Sequence, residues 1–215
     1  MGESMYAEQP LRHFLDTLCS KSPEPGGGSA SALTGSIAAA LAGMLASLTV
    51  DKKGYEDVWD EMRESYERAK ALKEDMLDLL QKDTEAFDDA SKAFRMPKSS
   101  EQEKRARAEA IEEGLIKASE VPLSIMKKSL DISRLAARVL AKGNKMAITD
   151  GAIAALFAEA AAIGAMINVR INFSWMKNRE YVEKTQATLE EILEEVSATR
   201  EKAVAYTLEQ LKSGN

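Results

Sequence analysis

The chain has 215 residues, 45% hydrophobic and 30% charged, with a formal charge of -6, one histidine (His13) and one cysteine (Cys19). That is enough for a sizeable core of ordinary soluble composition. A single subunit lacks the ligands for a four-coordinate N/S zinc site, the Glu-x-x-His pairs of a di-iron bundle and the thiols for a disulfide framework, so no metal site is expected.

Nucleophile-histidine catalysis would have to pass through His13 or Cys19, and His13 reads as a surface residue. Catalysis therefore falls to carboxylates, amides and backbone dipoles. The acidic balance, with a pI near 5.1 and scattered Lys and Arg, offers no basic face for nucleic acid. Met1 to Pro10 has neither a basic n-region nor an apolar h-region, and the lone cysteine suits a reducing compartment, so the expected location is the cytoplasm.

No segment shows sustained period-two alternation, and the whole chain, 1–215, reads as one all-α domain. A first helix is predicted over about Ala7 to Ser20. Ser22-Pro23-Glu24-Pro25-Gly26-Gly27-Gly28 breaks it, and Ser29 or Ser31 is the expected N-cap of a small-residue helix ending near Val50. Gly26 to Val50 carries no charge, but Gly, Ala, Ser and Thr gain little in hydrocarbon. It reads as a buried helix with close neighbours, not a membrane span.

Steps of four and three from Tyr55 give Tyr55, Trp59, Met62, Tyr66, Ala69, Lys73, Met76, Leu80, Asp83, Phe87, Ala90 and Phe94. This predicts one core-facing stripe on a helix on the order of 60 Å long. Lys73 can lay its stem on the core and keep its amine in water, whereas Asp83 is too short to do so. Pro97 ends the helix, and Ser100 with Glu103 forms a capping box for the next, with a kink expected at Pro122 and a stop at Gly143-Asn144. Thr149 or Asp150 is the expected cap of a second small-residue helix, Gly151 to about Phe173, interrupted once by Glu159. An amphipathic helix over about Asn178 to Lys212 completes a bundle of about six helices. Two small-residue helices and long apolar stripes exceed what one subunit covers, so a homodimer is expected.

Three places break the helical pattern. The free N–H groups of Gly26-Gly27-Gly28-Ser29 at a helix start suit an anion or carbonyl oxygen, or the glycines make a tight turn into a crowded core. Asp83 is a general acid/base beside a pocket, or a boundary carboxylate paired with lysine. Asn168 and Asn172, four apart on one face, suit a heterocycle edge, or they make interhelical hydrogen bonds. For Gly143-Asn144 and Thr149-Asp150, capping is the competing reading.

In this order, Pro-Glu-Pro-Gly-Gly-Gly-Ser-Ala, Asp83-Thr84-Glu85-Ala86-Phe87, Met96-Pro97-Lys98, Val121-Pro122-Leu123, Gly143-Asn144 with Thr149-Asp150, and Asn168-Val169-Arg170-Ile171-Asn172 resemble the formimidoyltetrahydrofolate cyclodeaminase / methenyltetrahydrofolate cyclohydrolase family. The resemblance spans about residues 8 to 210. It implies an all-helical homodimer that makes or opens the 5,10-methenyl bridge of a tetrahydrofolate substrate, without metal or redox cofactor. It also implies Asp83 as the catalytic carboxylate, substrate contacts from Gly27, Gly28, Ser29, Asn144, Asp150 and Asn168, Phe87 packed on the pterin, and Lys98 or Lys142 near the anionic tail. The competing class is a helical scaffold in which the glycines and asparagines serve only packing.

Overall fold

A computed structural model of the protein describes residues 5–213, with the backbone alone over residues 85–91. Six α-helices follow one another: α1 (Leu11–Leu18), α2 (Gly27–Ser47), α3 (Trp59–Phe94), α4 (Glu101–Lys142), α5 (Ile148–Phe173) and α6 (Arg179–Lys212). Short 3-10 turns precede α1, α3 and α5. Among the described residues there is no strand.

Helix α3 buries Met62, Ala69, Met76 and Leu80 from the expected stripe, and also Ser65, Leu72 and Leu79 one row over. The buried face is wider than one seam because α3 packs on both α2 and α4. Lys73 keeps its amine outward, paired with Glu74.

Helices α2 and α5 form the centre, in contact with each other and both with α4. Their small side chains allow the axes to come close. An added Cβ at Gly164 would lie 2.3 Å from Ser31 Oγ, and one at Gly151 2.9 Å from a Leu45 methyl. The two helices are therefore antiparallel neighbours, with residues 31 and 164 level at one end and 45 and 151 at the other. By length and composition both are apolar enough to cross a bilayer, yet each contributes a long row of alanines to this core.

Three boundaries differ from expectation. Pro10, the N-cap of α1, divides the first segment into a 3-10 turn, Tyr6–Glu8, and the short α1, since it has no N–H to continue a helix. Helix α2 starts at Gly27 with Gly26 as its cap, so neither Ser29 nor Ser31 caps it; the Ser31 hydroxyl donates to the Gly27 carbonyl at 2.7 Å. Thr149 and Asp150 lie in the first turn of α5, behind the cap residue Ala147, where the carboxylate of Asp150 favours the positive end of the helix.

The capping box of Ser100 and Glu103 is present, and α4 continues unbroken through Pro122 to Gly143. Glu159, the charge inside α5, receives Arg200 of α6 through two bonds of 2.7 and 3.1 Å. The Arg200 guanidinium holds the Glu159 carboxyl below the usual carboxylate range. This pair fixes the register of α6 on α5.

Candidate active site

At the end of the bundle where α2 begins and α5 finishes, a cavity of about 220 Å³ opens. Its walls come from four parts of the chain: Pro23 to Gly28, Asp83 of α3, Ala118 and Pro122 of α4, and Asn168, Ile171 and Asn172 of α5. A larger space of about 410 Å³ between α4 and α6 is lined by Leu140, Ala141, Lys202 and Tyr206 among others, with no carboxylate.

Asp83 stands against the first turn of α2. The buried Ser29 hydroxyl donates to Asp83 Oδ2 at 2.7 Å, and the Ser29 backbone N–H also donates to the carboxylate. An added Cβ at Gly28 would sit 2.2 Å from Asp83 Oδ1 and 2.6 Å from Cγ, so residue 28 must be glycine for the carboxylate to occupy this place. Burial pushes the Asp83 carboxyl above its ordinary range, against the pull of the two Ser29 donors. A carboxyl so placed keeps its proton to higher pH than an exposed one does. Among the described residues Asp83 makes no ion pair and is held by Ser29 instead, so the lysine-paired alternative is not realised there.

Gly27 is exposed at the cavity, and an added Cβ there would meet only Asn168 Nδ2 at 3.5 Å, an ordinary contact. Asn168 donates an N–H to the Gly164 carbonyl at 2.9 Å, and Asn172 donates to the Asn168 carbonyl at 3.2 Å. Each amide keeps its Oδ1 and a second N–H for the cavity. Glu24, Ala118, Pro122 and Ile171 complete the walls. Sequence pattern does not mark Glu24 or Ala118, because neither departs from an ordinary loop or helix pattern.

The structure brings Gly27, Gly28, Ser29, Asp83 and Asn168 together. It places Asn144 and Asp150 elsewhere, level with the C-terminal end of α2 and roughly 27 Å away at about 1.5 Å per residue. There Asn144 is engaged on every side. Its N–H donates to Thr49 Oγ1 at 2.8 Å, its Nδ2 to the Leu48 carbonyl at 3.3 Å, and its Oδ1 accepts from the Met146 N–H at 3.1 Å. Lys142 at the same end pairs with Glu61 at 2.7 Å. The side chain of Phe87 lies outside the described residues. Among the described residues no three His, Cys, Asp or Glu side chains gather as a metal site requires.

The formiminotransferase-cyclodeaminase family profile matches residues 10–191. Methenyltetrahydrofolate cyclohydrolase of Methylorubrum extorquens is 35% identical over 92% of this chain and 95% of its own length. Formimidoyltransferase-cyclodeaminase of Mus musculus is 29% identical over 90% of this chain, which spans 36% of that longer protein. The crystal structure of formiminotetrahydrofolate cyclodeaminase from Thermotoga maritima superimposes with a TM-score of 0.78 at 30% identity, covering 96% of this chain and 98% of that one. These matches take in the whole helical domain from α1 into α6, including every wall of the cavity around Asp83, and the chain belongs to the formiminotransferase-cyclodeaminase family.

Proposed function

We propose that the protein is a folate one-carbon enzyme that closes or opens the 5,10-methenyl bridge of tetrahydrofolate, with Asp83 as its proton carrier. The observation that carries this reading is a carboxylate with a raised pKa, held by Ser29 against Gly28, in a cavity that also presents two asparagine amides.

In the closing direction, N10 attacks the N5-formimino carbon and a C–N bond forms. The N10 proton passes to Asp83 and then to the amino group of the tetrahedral carbon, which leaves as ammonia. In the opening direction, water adds to the cationic bridge carbon; one of its protons passes through Asp83 to N5 as the carbon–N5 bond breaks, and the other is released to solvent, giving the neutral 10-formyl form. Neither reaction moves electrons to an acceptor, so the reading calls for no redox cofactor, and the proton steps call for no metal. A cavity of about 220 Å³ is smaller than the roughly 300–1,000 Å³ that buries a drug-sized ligand. It suits the bicyclic ring and its one-carbon bridge, with the glutamate tail outside.

The test is a spectroscopic assay of methenyl-bridge formation from 5-formiminotetrahydrofolate and of 5,10-methenyltetrahydrofolate hydrolysis, side by side on purified protein. Enzyme-dependent turnover in at least one is expected; none in either would refute the reading. The M. extorquens relative favours hydrolysis by its name and the T. maritima structure favours deamination by its own.

The same reading includes a homodimer. Both α2 and α5 lie on α4, and the stripe each leaves uncovered is apolar: Ile37 and Met44 on α2 with Leu48 just past its end, and Ile153, Phe157, Ile167 and Ile171 on α5, are all exposed. A second copy covers this face. The antiparallel register puts Ile37 beside Phe157, so light scattering should give twice the chain mass for the parent protein and the single-chain mass for Ile37→Asp/Phe157→Asp. A parent protein that runs as a monomer would refute the dimer.

A further inference from the structure

Pro122 sits inside α4, buried, in a helix continuous from Glu101 to Lys142. A proline at that position has no N–H to give the carbonyl four residues before it, and its ring presses that carbonyl aside. The residues at the two ends of this missing bond, Ala118 and Pro122, both line the cavity that holds Asp83. Ala118 is half-buried, and a backbone carbonyl that lacks its helical donor needs another one, from solvent or from a ligand. Among the described residues no side chain of the cavity donates to it. The Ser29 hydroxyl is engaged with Asp83, and the two asparagines donate to carbonyls of α5 itself.

We infer that the Ala118 carbonyl, released by Pro122, accepts a hydrogen bond from the amino edge of the substrate's pterin ring. This inference rests on the folate reading above. The pterin edge presents a 2-amino group next to a ring N–H, two adjacent donors. A backbone carbonyl on α4 and an asparagine Oδ1 on α5 supply two acceptors from different walls of one cavity, and Asp83 on α3 is left to the reacting end. A helix interior normally has no backbone acceptor to offer a ligand, so the Val121-Pro122-Leu123 segment gives α4 a binding function without breaking it.

Pro122→Ala restores the N–H and closes the helical bond on the Ala118 carbonyl. In equilibrium titrations with 5-formyltetrahydrofolate, a stable analogue, affinity should fall about tenfold, the scale of one neutral hydrogen bond. A 2-desamino-2-methyl analogue, which lacks the donor, should bind parent and variant equally. Circular dichroism and the thermal midpoint establish that the variant is folded, and Pro122→Val, which refills the volume of the ring, repeats the test if Pro122→Ala is not.

Unchanged affinity in a folded variant, or an equal loss for both ligands, would overturn the assignment. So would a failure of both variants to fold, which would make Pro122 a packing residue. Absence of binding by the parent protein would be a different result: it would remove the folate reading, and this inference with it.

Discussion

Asp83→Asn should fold, keep the cavity and lose at least about a hundredfold in turnover, the lower end of what a positioned acid/base contributes. Asparagine is nearly isosteric, and its carbonyl oxygen accepts the Ser29 hydroxyl and N–H as the carboxylate does. What it cannot do is take and return a proton. Stability should move the other way. Burial raises the Asp83 pKa in the folded state, so the folded protein holds this proton more tightly than the unfolded chain does. That stabilisation is fully present below the ordinary carboxylate range and is lost as pH rises through the raised value. The variant, which has nothing to ionise, should therefore gain thermal stability relative to the parent as pH increases through that window. A denaturation series across acid to neutral pH, paired with the bridge assay, checks both signs. Full activity in Asp83→Asn would assign the proton transfer to another group.

Gly28→Ala should be nearly as damaging to activity, although it adds one methyl group and removes nothing. The new Cβ would stand 2.2 Å from Asp83 Oδ1, and Asp83 cannot simply rotate away, because Ser29 holds its other oxygen at 2.7 Å. Either the carboxylate moves by about an ångström or α2 shifts against α3. Misplacement on that scale costs on the order of a hundredfold in rate, and overpacking costs about 1–3 kcal/mol in stability. Gly27→Ala is the control, since its Cβ would make only an ordinary contact with Asn168. It should melt close to the parent. Rates and thermal midpoints of the two variants, measured together, separate a specific clash at residue 28 from general damage to the glycine turn.

Much of this architecture follows from periodicity. The four-three spacing from Tyr55 to Phe94 marks the long helix and singles out Asp83 as its polar intruder. The alanine-rich runs mark the central pair, and Ser100 with Glu103 marks the start of α4. What spacing does not reveal is which residues of different helices meet. Ser29 reads locally as a cap, but it lies inside α2 and reaches a carboxylate 54 residues away. Asn144 belongs to the same motif series as Asn168, yet the antiparallel course of α5 carries the two to opposite ends of the bundle. Glu159 looks like a defect in an apolar helix until Arg200 arrives from α6. In each case the local pattern identified an unusual residue, and its partner depended on how the helices cross.

The interlocking of α2 with α5 also bears on how a ligand gains access. Ser31 fits against Gly164 and Leu45 against Gly151, at distances that leave no room for an added methyl group. Sliding one helix along the other by a single residue would drive side chains into backbone, so the pair acts mechanically as a single rigid plate. The α2 and α5 sides of the cavity therefore keep their places relative to each other. Adjustment on ligand entry is easiest at the wall that is not helical, the Pro23 to Gly26 connection between α1 and α2, where the chain has no regular ladder to break.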